Sequence, residues 1–150
     1  MSVVSAVGEL IRLESALLGP LDIRSETVIT FPAGLPGFAA LREFALVETH
    51  RDELVWMQSV EDAELTFLLV DPFVVVPGFE VDIPPSDLAA LGSSEHESAL
   101  VVLAVAQLQG GTPVSANLQS PIVIDREHRR GRQVVVPDSR YGMHHAITIA

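Results

Sequence analysis

Short apolar runs separated by proline and glycine constrain this chain more than any other feature. Residues 65–70 (LTFLLV) form an uncharged run that is short for a helix and has the usual length of a buried strand. Asp71-Pro72 ends this run, because proline has no amide hydrogen for a β-ladder and restricts the residue before it. A second run, residues 73–76, ends at Pro77-Gly78. This punctuation favours many short strands over long helices.

The next stretch, residues 79–83 (FEVDI), alternates apolar and acidic side chains. Successive side chains of a strand point to opposite faces, so alternation predicts one buried face and one exposed face. We therefore predict an exposed strand that follows the buried one and presents carboxylates to solvent. Neither strand contains a catalytic group.

Composition limits the kinds of partner. The chain has 150 residues, 48% of them apolar, which suffices for one domain with its own core. Its 20 acidic and 9 basic residues give a formal charge of −11, so it should repel nucleic acid and anionic membranes and attract basic partners.

Other features of the sequence exclude some chemistry and locations. Cysteine is absent, which excludes disulfides and thiolate chemistry. The first residues lack the basic region of a signal peptide, and the longest apolar run, residues 99–106, is too short to span a membrane. We expect a cytoplasmic protein that contacts neither membrane nor nucleic acid directly.

The pattern predicts about ten short strands. Besides residues 65–70 and 79–83, strands are predicted at residues 11–14, 21–24, 27–31, 44–48, 54–59, 99–108, 114–118, 122–124 and 133–136, with a further edge strand possible at 146–149. The first two form a hairpin through Gly19-Pro20, and residues 99–108, apolar on both faces, are a central strand. Residues 1–10 are treated as a variable N-terminal extension.

One short helix is predicted near residues 86–91, with Ser86 as N-cap and Gly92 just beyond its end. Residues 39–43 could hold one helical turn, and Phe38 is expected to return to the core. Residues 93–98 should form a polar loop. Connections too short for parallel crossovers indicate a mainly antiparallel sheet, so the predicted fold is a single all-β domain, a small barrel or roll.

Several of these segments occur together, in the same order and spacing, in one family. They are Ile29-Thr30-Phe31, Gly34-Leu35-Pro36-Gly37-Phe38, Gln58-Ser59, Asp71-Pro72-Phe73, residues 79–84, residues 116–124 and residues 133–136. Together they resemble the flagellar assembly factor FliW family, over about residues 11–141. The chain departs from the usual pattern at Phe79, where tyrosine is common, at Trp56-Met57 and at Ser120.

The resemblance implies a small, mainly β, cytoplasmic protein with no enzymatic activity and no cofactor. It also implies two partners, flagellin and CsrA, the RNA-binding carbon storage regulator that represses flagellin translation. In such a circuit, protein released from flagellin binds CsrA and antagonises it allosterically, which couples flagellin synthesis to export.

The resemblance suggests a CsrA-binding surface, with Glu80 as the residue most directly implied. Our hypothesis assigns this surface to six residues: Phe79, Glu80, Asp82, Asn117, Leu118 and Gln119. An edge strand could dock a partner by main-chain pairing while its carboxylates select a basic one. The alternative for Glu80 and Asp82 is a solvated acidic face. The alternative for Asn117 is a structural role in a bulge, whereas Gln119 is long enough to reach outward.

Three further segments are interpreted structurally. The loop at residues 34–38 lacks the lysine of a phosphate-binding loop and reads as a turn, with direct partner contact as the alternative. The five histidines are not spaced as a metal site. The basic segment, residues 126–132 (REHRRGR), reads as a solvated connection, with an acidic or phosphate partner as the alternative.

A second class of function stays open at this point. A small β-barrel could be an enzyme or ligand carrier with a pocket at the mouth of the barrel. The distinguishing feature would be a deep pocket in which titratable side chains converge.

Overall fold

Strands make up most of the regular structure in the computed structural model, which describes residues 9–92, 100–137 and 140–149. The strands in these ranges are β1 (Leu10–Ser15), β2 (Gly19–Arg24), β3 (Val28–Thr30), β4 (Glu43–Glu48), β5 (Leu54–Ser59), β6 (Thr66–Val70), β7 (Leu100–Gln109), β8 (Thr112–Ala116), β9 (Ile122–Asp125), β10 (Arg130–Gln133) and β11 (His145–Ala146). The helices described are α1 (Pro72–Val75), α2 (Pro85–Leu91) and a 3-10 turn (Ser25–Thr27).

Seven strands close into a barrel. Their order is β7-β6-β5-β4-β3-β10-β9, and β9 pairs back onto β7. Every pairing in this ring is antiparallel except β3 with β10, which are parallel and joined through the single pair Thr30–Arg130. The predicted all-β, mainly antiparallel barrel is confirmed.

Strand β7 is central, as predicted, because it pairs with three neighbours. Residues 100–103 pair with β9, residues 104–105 pair with β6, and residues 106–109 pair with β8. Strand β11 adds to the free side of β8 at Ser115 and Ala116. The tail therefore forms the predicted edge strand, one residue earlier than expected and two residues long.

Side chains alternate between the inside and the outside of the barrel wall. The inner core contains Ile29, Phe31, Leu35, Phe44, Met57, Leu69, Leu103, Ile122 and Ile124. Their strand neighbours Val70, Ala104 and Val123 belong to clusters on the opposite face, as a two-residue repeat requires. The inner packing is tight at one point, where a Cβ on Gly131 would lie 2.5 Å from the ring of Phe31.

Three satellite clusters cover the outside of the barrel wall. The β1–β2 hairpin, predicted from the sequence, packs Leu13 and Ile23 on Ala45 of β4. Helix α2 packs Leu91 on Val123 and Val134. The third, which we call the outer cluster, contains Val70, Val76, Phe79, Ala104, Ala116, Leu118 and Ile147. It joins the segment after β6 to the loop after β8 and the C-terminal strand.

The predicted strand at residues 79–83 is wrong, because these residues join no β-ladder. The amide of Phe79 donates to the carbonyl of Val76 at 3.1 Å, and the amide of Glu80 donates to the hydroxyl of Tyr141 at 3.4 Å. Backbone donors that would serve a ladder are thus used in a turn and by a side chain. The predicted alternation of exposure is nevertheless present, with Phe79 buried and both Glu80 and Asp82 exposed.

Phe38 does not return to the core. It is 40% exposed and lies edge-on against Phe67, with ring centroids 6.0 Å apart. Leu35 takes the buried position instead, because the tight turn from Leu35 to Phe38 directs only its first residue inward. No helical turn follows at residues 39–43, since β4 begins at Glu43.

Helix α2 and strand β10 are shifted from their predicted positions. Helix α2 begins at Pro85 with Pro84 as N-cap, so Ser86 is not the cap, whereas Gly92 ends the helix at φ 80° as expected. Strand β10 begins at Arg130 rather than residue 133, because the turn after β9 is tighter than the sequence suggested. The predicted polar loop at residues 93–98 lies outside the described residues.

Candidate functional site

A cleft of about 490 Å³ lies over the outer cluster, on the outside of the barrel wall. Its lining residues are Phe73, Phe79, Glu80, Val81, Asp82, Leu118, Val136, Pro137, Arg140 and Tyr141. The cleft thus brings together four of the six predicted site residues: Phe79, Glu80, Asp82 and Leu118. We call it the acidic cleft, after its two carboxylates.

Local turns place the acidic residues at the edge of the acidic cleft. Gly78 has φ 73°, a conformation that favours glycine, and it reverses the chain after α1 so that Phe79 points into the outer cluster. The alternation that follows leaves the side chain of Glu80 82% exposed and keeps Asp82 exposed. The buried ring of Phe79 therefore fixes this segment to the outer cluster, while the carboxylates of Glu80 and Asp82 remain accessible to solvent.

Aromatic rings form a continuous row through the acidic cleft. The ring centroids of Phe73 and Phe79 are 5.0 Å apart, those of Phe79 and Tyr141 are 5.0 Å apart, and those of Tyr141 and His145 are 5.4 Å apart. Phe73 is 53% exposed although it belongs to this row. Rings at these distances stabilise one another and offer apolar area to a partner with little loss of conformational entropy.

Arg140 is the cation among the described residues that line the acidic cleft. Its Nη2 lies 3.5 Å from Oε2 of Glu80 and donates to the hydroxyl of Tyr141 at 3.3 Å. Its guanidinium carbon is 5.5 Å from the centroid of the Tyr141 ring. Both charged side chains are mostly exposed, and such ion pairs contribute only about 0–1 kcal/mol.

Residues 117–121 form a loop between β8 and β9. Ala116 faces Ala106 and Ile122 faces Leu103, so five residues on this side oppose two on β7. Oδ1 of Asn117 accepts from the amide of Ser120 at 3.1 Å, which gives Asn117 the structural role considered above.

The three predicted residues of this loop have different surroundings. Leu118 is buried in the outer cluster and lines the floor of the acidic cleft. The carbonyl of Gln119 accepts from the amide of Val136, and the side chain of Gln119 does not line the cleft. Asn117 borders a different cavity.

That second cavity, of about 250 Å³, borders the barrel core. Its lining residues are Leu35, Pro36, Phe38, Phe67, Val105, Gln107, Asn117, Ile122 and Gln133. These described lining residues are apolar or carry neutral amides, and none is acidic, basic or histidine. The cavity therefore lacks the converging titratable groups that would mark a catalytic pocket.

A buried carboxylate holds the turn after β9. Oδ1 of Asp125 accepts from the amides of Glu127 and His128, and Oδ2 lies 2.9 Å from Nδ1 of His128. Burial raises the pKa of Asp125, but the hydrogen bonds from His128 and Glu127 outweigh burial and bring the pKa below its ordinary value. The basic segment around this turn is partly engaged within the molecule, since Arg132 pairs with Asp87 at 2.6 Å.

Sequence reasoning missed Phe73, Arg140 and Tyr141. Phe73 lies in α1, whose start has a recognisable signal, because Asp71 accepts from the amide of Phe73 at 3.0 Å and Pro72 occupies the first turn. Arg140 and Tyr141 come from a tail without periodicity. Long-range contacts bring that tail to the acidic cleft, among them the bond from the amide of Leu118 to the carbonyl of Gly142 and the pairing of β11 with β8.

In residues 9–92, 100–137 and 140–149, no three histidine or acidic side chains come close enough to hold a metal ion. Within the same ranges, neither helix has the length and apolar character needed to cross a membrane.

The closed ring with its acidic cleft defines the class of the molecule as a small β-barrel protein. Among families of this class, the model of the FliW protein family matches residues 12–147. The chain therefore belongs to the FliW family of flagellar assembly factors, and the resemblance seen in the sequence is confirmed.

Individual relatives agree with this assignment. The flagellar assembly factor FliW of Desulfitobacterium hafniense (strain Y51) is 34% identical over 139 residues, covering 91% of this chain and 90% of the relative. That of Treponema pallidum (strain Nichols) is 32% identical over 135 residues, covering 90% of each. A crystal structure of the flagellar assembly factor FliW superposes with a TM-score of 0.82 at 27% identity, covering 91% of this chain and 96% of the other.

Proposed function

We propose that this protein couples flagellin synthesis to flagellin export by binding two partners in the cytoplasm. One partner is flagellin, and the other is the translational repressor CsrA. Protein released from flagellin binds CsrA and antagonises it allosterically, so that CsrA holds the flagellin messenger poorly. The protein acts by binding alone, without catalysis or a cofactor.

One observation supports a docking role above the others. The exposed carboxylates of Glu80 and Asp82 border a cleft whose floor is a row of aromatic rings. Aromatic anchors surrounded by polar groups are typical of protein–protein interfaces, and the carboxylates favour a basic partner. We assign the CsrA surface to Phe79, Glu80, Asp82 and the neighbouring loop with Asn117, Leu118 and Gln119.

Flagellin uses an overlapping or coupled site, so the two partners exclude one another. This arrangement makes free CsrA a measure of how much flagellin remains unexported. Membership of the FliW family supports the flagellar context, and a charge of −11 argues against direct binding of RNA by this protein.

The proposal is tested by the retention of flagellin messenger RNA on purified CsrA as this protein is added. The wild-type protein should release the RNA. Glu80→Arg should weaken CsrA binding by about tenfold or more while the folding transition is unchanged, because Glu80 is exposed and contributes to binding rather than to packing.

Glu14→Arg is the matched control. Glu14 is also an exposed carboxylate near an arginine, Arg12 at 3.9 Å, but it lies on the β1–β2 hairpin. Its reversal should leave CsrA binding unchanged. Unaltered RNA retention at saturating wild-type protein would end the proposal, and equal binding by Glu80→Arg and wild type would remove Glu80 from the surface.

A further inference from the structure

The acidic cleft contains more negative than positive charge. Glu80 is paired with Arg140, whereas Asp82 makes neither an ion pair nor a hydrogen bond with any described residue. The edge of the aromatic floor thus has two carboxylates and one guanidinium, and only the carboxylate of Glu80 is paired with it. Such a site is complementary to one further cation.

The position of Arg140 indicates which cation the acidic cleft fits. The guanidinium lies 3.5 Å from the carboxylate of Glu80 and 3.3 Å from the hydroxyl of Tyr141. Its central carbon lies over the Tyr141 ring, 5.5 Å from the ring centroid. A planar guanidinium satisfies all three, because it donates in a fork and stacks on aromatic faces, whereas a lysine ammonium donates as a compact point charge. The surroundings of Arg140 therefore form a guanidinium site.

Arg140 occupies this guanidinium site only loosely. Its side chain is 67% exposed, and its closest approach to the Glu80 carboxylate is at the long end of ion-pair distances. An exposed pair of this kind is screened and easily exchanged. A docking partner would also cover the exposed Phe73 and exclude water from the cleft. Because water is excluded, an arginine of the partner would bind Glu80 and Tyr141 more strongly than Arg140 does.

We infer that Arg140 is an internal substitute for an arginine of the docking partner. In the free protein Arg140 lies on Glu80 and Tyr141, and on docking an arginine from the partner displaces it while an adjacent apolar side chain covers Phe73. This inference rests on the proposed function, since it names the side chain through which CsrA would engage the acidic cleft. Arg140 thereby competes with the partner's arginine for the same groups, Glu80 and Tyr141.

The test measures the affinity of purified CsrA for four forms of the full-length protein: wild type, Arg140→Ala, Glu80→Gln and the double variant. Removing the competitor should tighten binding about two- to five-fold at low salt, the range expected for losing an exposed ion pair. Glu80→Gln should weaken binding about tenfold or more. In the Glu80→Gln background, Arg140→Ala should have little further effect, because the shared carboxylate is gone.

Arg12→Ala is the matched control for net charge. Arg12 is an exposed arginine that pairs with Asp22 at 3.3 Å on the β1–β2 hairpin, so its loss changes the overall charge equally but leaves the acidic cleft intact. Arg12→Ala should bind CsrA as the wild type does. Tightening by Arg12→Ala equal to that by Arg140→Ala would overturn the inference, because it would reduce the effect to long-range attraction.

The remaining outcomes separate this inference from the proposed function. If Glu80→Gln weakens binding but Arg140→Ala leaves it unchanged or weaker, CsrA uses the acidic cleft and Arg140 is no competitor. The inference then falls and the proposed function stands. If neither variant changes the affinity, the acidic cleft is not the CsrA surface, and the inference falls together with the site assigned to CsrA.

Discussion

At the scale of single residues, Asp125 has the clearest structural role. It is almost completely buried, yet both of its carboxylate oxygens have hydrogen-bond partners: two backbone amides at Oδ1 and the ring of His128 at Oδ2. Buried carboxylates are tolerated when they are hydrogen-bonded in this way. The carboxylate replaces backbone partners that the tight turn between β9 and β10 cannot supply.

Replacing Asp125 by alanine should lower the free energy of unfolding by about 2–4 kcal/mol at pH 7, because the amides of Glu127 and His128 and the ring of His128 lose a charged acceptor. The folded-state pKa lies below the ordinary value of 3.8. The ionised group therefore stabilises the fold fully above that value, and the contribution is lost as pH falls through the lower, folded-state pKa.

Urea denaturation measured at neutral pH and again in the acid range below about pH 4 checks both parts. The difference between wild type and Asp125→Ala should shrink in acid. The exposed Asp52→Ala is the control and should be close to wild type at either pH. Equal stability of the two variants at neutral pH would contradict this role of Asp125.

At the scale of elements, helix α1 connects the barrel to the acidic cleft. It is a single turn, and only its cap and its packing hold it, since an isolated turn of this length is unstable in water. The cap is the carboxylate of Asp71, and the packing is the contact between the rings of Phe73 and Phe79. The exposed part of the aromatic row therefore depends on one capping residue.

Asp71→Ala should destabilise the fold by about 1 kcal/mol, and Asp71→Asn should cost far less because asparagine also caps helices well. Since the same change loosens Phe73, Asp71→Ala should also weaken CsrA binding under the proposed function. Thermal unfolding and a CsrA titration of both variants measure these effects. An alanine variant as stable as the asparagine variant would show that the cap contributes nothing.

Most strands could be predicted because their apolar residues alternate or run continuously between turn signals. Helix α1 was not predicted, although Asp71-Pro72 is a helix-start signal, because the apolar run at residues 73–76 is too short to show a period. Residues 79–83 show the opposite failure. Alternation reports which side packs, whereas a strand also needs a partner with free backbone groups, and here a tyrosine hydroxyl takes that place.

The candidate site was predictable in part. Phe79, Glu80, Asp82 and Leu118 meet in the acidic cleft, and their positions follow from local alternation and from the family pattern. The contributions of Arg140 and Tyr141 depend on the pairing of β11 with β8, a contact between residues far apart in the chain. Local patterns do not encode such pairing, so Arg140 and Tyr141 could not be predicted as residues of the site.

At the scale of the whole molecule, the charge of −11 acts on any approaching partner. A field of one sign speeds the encounter with a basic partner and is screened by salt. Such a field contributes more to the rate of association than to the lifetime of a complex, which under the proposed function depends on contacts in the acidic cleft.

Under the proposed function, the association rate constant with CsrA should therefore fall by about tenfold or more between ionic strengths of about 20 mM and about 300 mM, while the dissociation rate changes much less. Stopped-flow or surface-based kinetics at several salt concentrations would measure both constants. An association rate that is independent of salt would contradict long-range steering and leave short-range contacts as the whole basis of recognition.

The barrel also has an unequal set of seams. Six of its joints consist of several residue pairs, with the joint between β6 and β7 limited to two, whereas β3 and β10 meet through one pair alone. Local opening of a barrel requires the least free energy where the fewest hydrogen bonds must break. The amide of Thr30, which donates to the carbonyl of Arg129, lies at this position. The barrel therefore has its weakest seam between β3 and β10, next to the turn that the carboxylate of Asp125 stabilises.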